Sequence, residues 1–359
     1  MCILLATTAH PSYSLIILDN RDEFIRRPTS QPHWWKARRQ HILSSRDLLR
    51  KEQGTWLGIT KTGNFAVLTN FREDEDPNRP LQGLKSRGGM VTAWLTAPDD
   101  ESTEEFVKRM LDGDGVQGVG GFSLVCGKLR RRKDKEADIE PFAIISNRAT
   151  SADQVPWIAN ERGEVYGLSN TSFNDPVIWP KVKLGKEKIV EVVEAAVSND
   201  LGENELVDKL FELLDTNTMP PLEGDDIQQH MRQLRHSIFI PPIGEEKPLS
   251  EIPPSEQEAS ADVSSSDSKV TEDISPAAFD ALREPALDSN TFMAGVYGTQ
   301  RQTILLVDWD GNVTYVERSL WDDLGKQIER GEGDVRFEFK IDGWNGERKG
   351  NEFRTLAVL

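Results

Sequence analysis

The chain has 359 residues, of which 37% are hydrophobic and 29% charged, and carries a net charge of −17. That length suits one large or two modest domains, and the acidity argues against a nucleic-acid partner, whose phosphates favour a basic face. No stretch approaches the ~20 apolar residues of a membrane span, so an integral membrane protein is not expected; the two cysteines, Cys2 and Cys126, fit a reducing compartment rather than a disulfide scaffold.

Cys2 follows Met1 and opens the apolar run Cys2-Ile3-Leu4-Leu5-Ala6-Thr7. Cysteine is small enough for an aminopeptidase to remove the methionine before it. One residue would then hold a thiol, reference pKa about 8.5, and an α-amine at roughly 7.7–8.0, a nucleophile and its base together. The other reading is a small hydrophobe at the start of a buried strand. The N-terminus shows no basic region or small-residue cleavage site, so a cytoplasmic protein is expected.

Residues 2–7 and 13–19 read as a hairpin around Ala9-His10-Pro11-Ser12. The second strand ends in Asp19-Asn20-Arg21-Asp22-Glu23, too polar a run to face only a core. In such a hairpin Asn20 to Asp22 emerge beside Cys2, because the first strand starts where the second ends. An arginine there would favour the thiolate, and a carboxylate could hold the α-ammonium. A second hairpin, 55–60 with 65–70, turns at Lys61-Thr62-Gly63-Asn64.

Helices are expected from Ser86, as N-cap, to about residue 96, and over 103–112 with Ser102 as cap. Strands follow at 121–127, 141–146 and 164–169; the basic run 128–135 reads as a solvated hairpin tip, and Cys126 as an inert core thiol. Two strands close on an asparagine, at Leu68-Thr69-Asn70 and Gly167-Leu168-Ser169-Asn170. A neutral amide at a strand end can donate to a developing oxyanion without adding a competing charge. Amphipathic helices fit 181–199 and 203–215.

The segment 245–290 is rich in Ser, Pro, Asp and Glu, and 245–288 alone holds twelve acids against three bases. It cannot bury enough apolar area to offset ordering entropy and reads as a disordered acidic insertion. Strands are expected again over 292–297, 303–307, 313–317 and 335–341, with Asp310-Gly311 as a tight turn. Strands at both ends with helices between them indicate one α+β domain made of 1–244 and 291–359.

Other chemistries find no pattern. The five histidines lack metal-ligand spacing, neither cysteine pairs with one, and Gly118-Val119-Gly120-Gly121 is not a phosphate loop. No metal or cofactor is expected; haem remains open as a ligand, without a Cys-Pro signal to support it.

The start Met1-Cys2-Ile3 followed by Asn20-Arg21-Asp22-Glu23 resembles the NRDE family, also called the transport-and-Golgi-organisation protein two family. Gly54-Thr55-Trp56-Leu57-Gly58-Ile59, Leu68-Thr69-Asn70-Phe71, Ser86-Arg87-Gly88, Gly167-Leu168-Ser169-Asn170, Trp179-Pro180-Lys181-Val182 and Tyr297-Gly298-Thr299 occur in the matching order. The resemblance implies a four-layer αββα sandwich of two antiparallel sheets, similar to N-terminal-nucleophile hydrolases and more distantly to bile-salt hydrolases and penicillin V acylases. It implies Cys2 as nucleophile, Asp22 as the carboxylate on its amine, and Asn70 and Asn170 as active-site amides. Asn20, Arg21, Glu23, Arg87 and Arg301 are then the candidate substrate-binding or supporting residues. Arg21 adjoins Asp22, so an alternating strand points the two to opposite faces. Relatives often read Tyr-Gly-Thr-Arg where this chain has Tyr297-Gly298-Thr299-Gln300-Arg301, an arginine displaced by one.

Two functions follow as expectations. One is a cysteine amidase or acyl-transfer enzyme acting on a small acyl or lipid-like substrate. The other is a non-catalytic carrier of a lipid, acyl-CoA or haem, linked by resemblance to Golgi organisation, secretion or mitochondrial lipid metabolism.

Overall fold

The computed structural model describes residues 1–50, 52–71, 86–113, 115–116, 119–132, 138–221, 230, 232–244 and 295–345. Thirteen strands among them form two sheets. The first sheet takes β1 (Ile3–Thr7), β2 (Tyr13–Phe24), β10 (Val165–Leu168), β11 (Tyr297–Asp308), β12 (Asn312–Ser319) and β13 (Asp334–Lys340), in the spatial order β10-β1-β2-β11-β12-β13. The second takes β3 (His33–Ala37), β4 (Gln40–Ser44), β5 (Leu57–Thr60), β6 (Asn64–Asn70), β7 (Phe122–Lys128), β8 (Phe142–Ser146) and β9 (Trp157–Ile158), paired in sequence order. The pairings in both sheets are antiparallel.

Side-chain alternation along the strands sorts the apolar residues into layers. Leu4, Ala6, Leu15 and Ile17 of the first sheet meet Leu57, Ile59, Phe65 and Val67 of the second in the core between them. Ile3, Leu5, Ile16 and Leu18 face outward onto α3 (Pro180–Ser198) and α4 (Glu203–Leu214). On the far side, Ala66, Leu68, Leu124 and Cys126 pack against α1 (Gly88–Leu95) and α2 (Thr103–Asp112). The result is the expected four-layer αββα sandwich.

α2 starts with the capping box anticipated at Ser102, whose hydroxyl accepts from the Glu105 N–H while the Glu105 carboxylate accepts from the Ser102 N–H. Ser86 does not cap α1. The cap position is Arg87, with no side-chain capping bond. The backbone of Gly54 passes close to the first residue of that helix: a Cβ on Gly54 would lie 2.9 Å from the Gly88 carbonyl carbon.

The hairpin of β3 and β4 has no counterpart in the sequence reading. Its turn places Arg38 at φ 53, a conformation usually marked by Gly or Asn, so the turn carries no signal. The two strands expected over 292–297 and 303–307 are one twelve-residue strand, β11; residues 292–294 lie outside the described residues. The acidic segment 245–290 lies outside them too. Around it, Ile243 and Tyr297 exchange two backbone hydrogen bonds of 2.8 Å each.

Candidate functional site

Register places the candidate residues. Ile3 pairs with Asn20 and Leu4 with Leu168, so continuing both ladders puts Cys2 between Arg21 on β2 and Asn170 just past β10. Leu4 and Ala6 point between the sheets, which gives Cys2 that same face. Arg21 shares it: its guanidinium lies 4.1 Å from the centre of the Trp56 ring, just before β5 of the facing sheet. Asn170 is buried, and the preceding Ser169 hydroxyl donates to the Cys2 carbonyl at 2.6 Å. Thr69 ties the second sheet to this point by donating to the Ser169 carbonyl at 2.9 Å.

Asp22 points the other way, onto the helical layer. Its carboxylate is fully buried and 2.9 Å from the α-ammonium of Met1, and it accepts from Thr299 Oγ1 at 2.7 Å. The Met1 ammonium also donates to the Tyr297 hydroxyl at 2.5 Å. Lys181, in the first turn of α3, has no exposed side-chain surface; its ammonium is 3.9 Å from Asp22 Oδ2 and donates to the Met1 carbonyl. The Met1 side chain is buried among Leu234 and Ile240, with Trp179, Met219 and Ile243 beside them.

The chemistry follows from this burial. Desolvation lowers the Met1 ammonium pKa, with Asp22 opposing and Lys181 adding to the fall. Burial pushes the Cys2 thiol up to about 11, against the pull of the nearby ammonium. Burial also lowers Lys181 and raises Tyr297 well above the usual phenol range. With Met1 in place, Cys2 therefore has no amine of its own and a reluctant thiol. Cys126, buried in the outer core, is raised further still.

The remaining candidates divide. Glu23 is half-buried, 4.0 Å from Arg21 and 3.6 Å from Arg27. Arg87 is lowered to about 10 by burial, with Glu23 the largest opposing influence and the Cys2 thiol a smaller one. Asn20 belongs elsewhere: its amide donates to the Leu214 and Ile238 carbonyls and ties β2 to the end of α4. Asn70 ends β6 opposite Phe122, with the parity of Leu68, which faces the α1–α2 layer; the cleft parity belongs to Thr69. Arg301 is spent on a buried network, donating to Glu317, Ser319 and Thr29.

The ladder between β2 and β11 shifts between Thr299 and Arg301, a β-bulge that leaves Gln300 as the extra residue. Gln300 turns its carbonyl to accept from Arg21 and donates its amide to the Ile25 and Arg27 carbonyls at 2.9 and 3.0 Å. Lys181 is the residue that residue-by-residue reading missed. Its signal was a lysine inside the otherwise apolar buried face of an amphipathic helix.

No group of three or more His, Cys, Asp and Glu side chains positioned for a metal occurs among the described residues. None of their helices is long and apolar enough to cross a membrane.

A family model described as Transport and Golgi organisation 2 matches residues 1–322. The human Transport and Golgi organization protein 2 homolog is 30% identical over 312 residues, covering 87% of this chain and 88% of that protein. An uncharacterized protein of Saccharomyces cerevisiae is 26% identical over 358 residues, covering 95% of this chain and 100% of its own. Among solved structures, the conjugated bile acid hydrolase of Clostridium perfringens is 12% identical with a TM-score of 0.35, covering 98% of this chain and 100% of that one. The penicillin V acylase of Agrobacterium tumefaciens is 12% identical with a TM-score of 0.36, covering 95% and 86%. At these TM-scores the likeness is loose.

Proposed function

The chain belongs to the Transport and Golgi organisation 2 family, and on that premise we propose that it is a cysteine amidase or acyl-transfer enzyme whose working residue is Cys2, exposed as the first residue once Met1 is removed. The observation that carries this reading is the setting of Cys2: register puts Arg21 and Asn170 beside it on the face between the sheets, and on the other face lies a buried carboxylate, Asp22, built around an ammonium. In the proposed reaction the Cys2 sulfur bonds to the substrate carbonyl carbon while its proton passes to the Cys2 α-amine. The Asn170 amide donates to the oxyanion. The tetrahedral adduct then expels the substrate's amine, which takes that proton, and water or an acceptor amine resolves the thioester. Asp22 holds the α-amine in place, and Arg21, clamped by Trp56 and Gln300, puts a positive charge beside the developing thiolate.

The test is mass spectrometry of the Met1-free chain incubated with a panel of N-acyl amides. An acyl adduct on Cys2, absent from Cys2→Ala, is expected. Asn170→Ala is expected to slow its formation by about 10²–10³, the usual loss when one oxyanion donor is removed. Persistent absence of an adduct would leave the carrier reading. One observation favours that alternative: Met1 is well buried and blocks the amine of Cys2. A carrier would bind a lipid-like or acyl ligand with Met1 retained and return it unchanged.

A further inference from the structure

Asp22 is a single carboxylate serving two cations. The Met1 ammonium lies 2.9 Å from Asp22 Oδ2 and the Lys181 ammonium 3.9 Å from the same oxygen, both without solvent contact at the carboxylate. The Met1 carbonyl accepts from Lys181 and so offsets part of the cost of burying a lysine. Removing Met1 takes away that carbonyl and leaves the new Cys2 ammonium and Lys181 facing one negative charge.

Among the described residues Asp22 is the only carboxylate ion-paired with the two ammoniums; Asp215, at the end of α4 on the same face, is taken up by Gln302 and Arg330. From β2 comes Asp22; from β11 come the Tyr297 hydroxyl and the Thr299 hydroxyl, which already donates to Asp22. Just before β1 comes the Cys2 thiol, on the face between the sheets, where Asp19, Arg21 and Glu23 also point. From α3 comes Lys181 alone, since Lys183, Lys186 and Glu187 lie on its outer side. The segment carrying Leu234, Ile240 and Ile243 contributes apolar side chains. Two buried cations beside one carboxylate are unstable unless one loses its proton. The α-amine gives way first, because its reference pKa is roughly 7.7–8.0 against about 10.4 for lysine.

We propose that Lys181 is a positioning residue that keeps the Cys2 α-amine neutral near neutral pH, leaving that amine free to take the thiol's proton. This rests on the proposed function, in which Cys2 becomes the first residue. The direction agrees with the Met1 ammonium as it stands, which Lys181 helps to lower. The same lysine also explains why a charged side chain occupies a fully buried site in the first turn of α3: it acts on a titration, through Asp22, without touching substrate.

The experiment uses the Met1-free full chain, made by co-expression with a methionine aminopeptidase or released from a cleavable N-terminal fusion, and checked by intact mass. With cysteine labelled with ¹³C, the Cys2 α-carbon shift is followed against pH. In parallel, the pH midpoint of Cys2 alkylation by iodoacetamide is read by mass, with Cys126 as internal control. Wild type is expected to titrate its amine below the reference range. Lys181→Met is expected to raise that titration by about one unit or more and to shift the alkylation midpoint, and Lys181→Arg to restore the wild-type values. Asp22→Asn, which leaves the cations without their anion, is expected to lower the amine further and gives a reading even if Lys181→Met does not fold. An amine at its reference value in wild type, or one unmoved by Lys181→Met or by Asp22→Asn, overturns the proposal. Failure of the enzyme reading is distinct: the amine titrates as expected, yet no substrate acylates Cys2.

Discussion

Alternation along β2 divides its polar end between two sites. Asn20 and Asp22 face the helices, where one ties down α4 and the other holds an ammonium. Asp19, Arg21 and Glu23 face the space between the sheets. The opposite facing of Arg21 and Asp22 was readable from their adjacency. That the other face is the one bearing the Cys2 thiol required the pairing of β1 with β2. Asp19 is the least comfortable member: it sits across from Leu4 and Thr303, nearly fully buried, with Oδ2 lacking a hydrogen-bond partner. Burial holds its carboxyl well above the ordinary value, and Asp22 and Glu317 push the same way. The folded state therefore binds this proton more tightly than the unfolded one. Asp19 weakens stability progressively as pH rises from its unfolded value, about 3.9, through its raised folded value. Asp19→Asn is expected to unfold at a higher temperature than wild type at pH 7, with the gap closing toward pH 4, as thermal denaturation across that range would show.

At the scale of elements, the strongly patterned pieces are legible in the chain itself. The β1–β2 hairpin, α2 with its cap, α3 and α4 have clear periodicity or capping residues. The turn from β3 to β4 does not, because Arg38 adopts a conformation that its side chain does not advertise. α3 also meets the first sheet closely at Gly185, where an added Cβ would lie 2.8 Å from both Leu5 Cδ atoms. That approach brings Lys181, one turn earlier, within reach of Asp22. Gly185→Val is expected to cost about 1–3 kcal/mol through overpacking. It is also expected to lift the helix enough to weaken the Lys181–Asp22 pair. A lowered midpoint in urea, together with a shifted pH midpoint of Cys2 alkylation in the Met1-free chain, would show both effects; a change in stability alone would separate packing from the ion pair.

For the whole molecule, the two sheets bring together strands from the two ends of the chain. β11, after the acidic segment, lies directly against β2 and supplies Thr299 and Tyr297 to Asp22. The segment leaves after Ile243 and returns before Tyr297, and these two are hydrogen-bonded to each other, so its ends need no spacer to stay close. Because loop-closure cost grows slowly with length, the reading of 245–290 as an insertion in one domain predicts that a short Gly-Ser link in place of 250–288 is tolerated. The shortened protein is expected to melt within a few degrees of the full chain and to keep Cys2 alkylation unchanged. A large loss of stability would instead make the segment part of the core.

The sequence by itself determined which residue types could do chemistry at Cys2, the alternation that splits the polar run at 19–23, and the family to which the order of motifs belongs. These are local properties, carried by side-chain period and by short motifs. Only the tertiary structure decided that Asn170 rather than Asn70 shares the face of Cys2, that Arg301 is committed to Glu317, and that Lys181 competes for Asp22. Those depend on register, on a one-residue bulge at Gln300 and on how closely a helix approaches a sheet. Each is set by packing between segments far apart in the chain, where a shift of one residue turns a side chain to the opposite face.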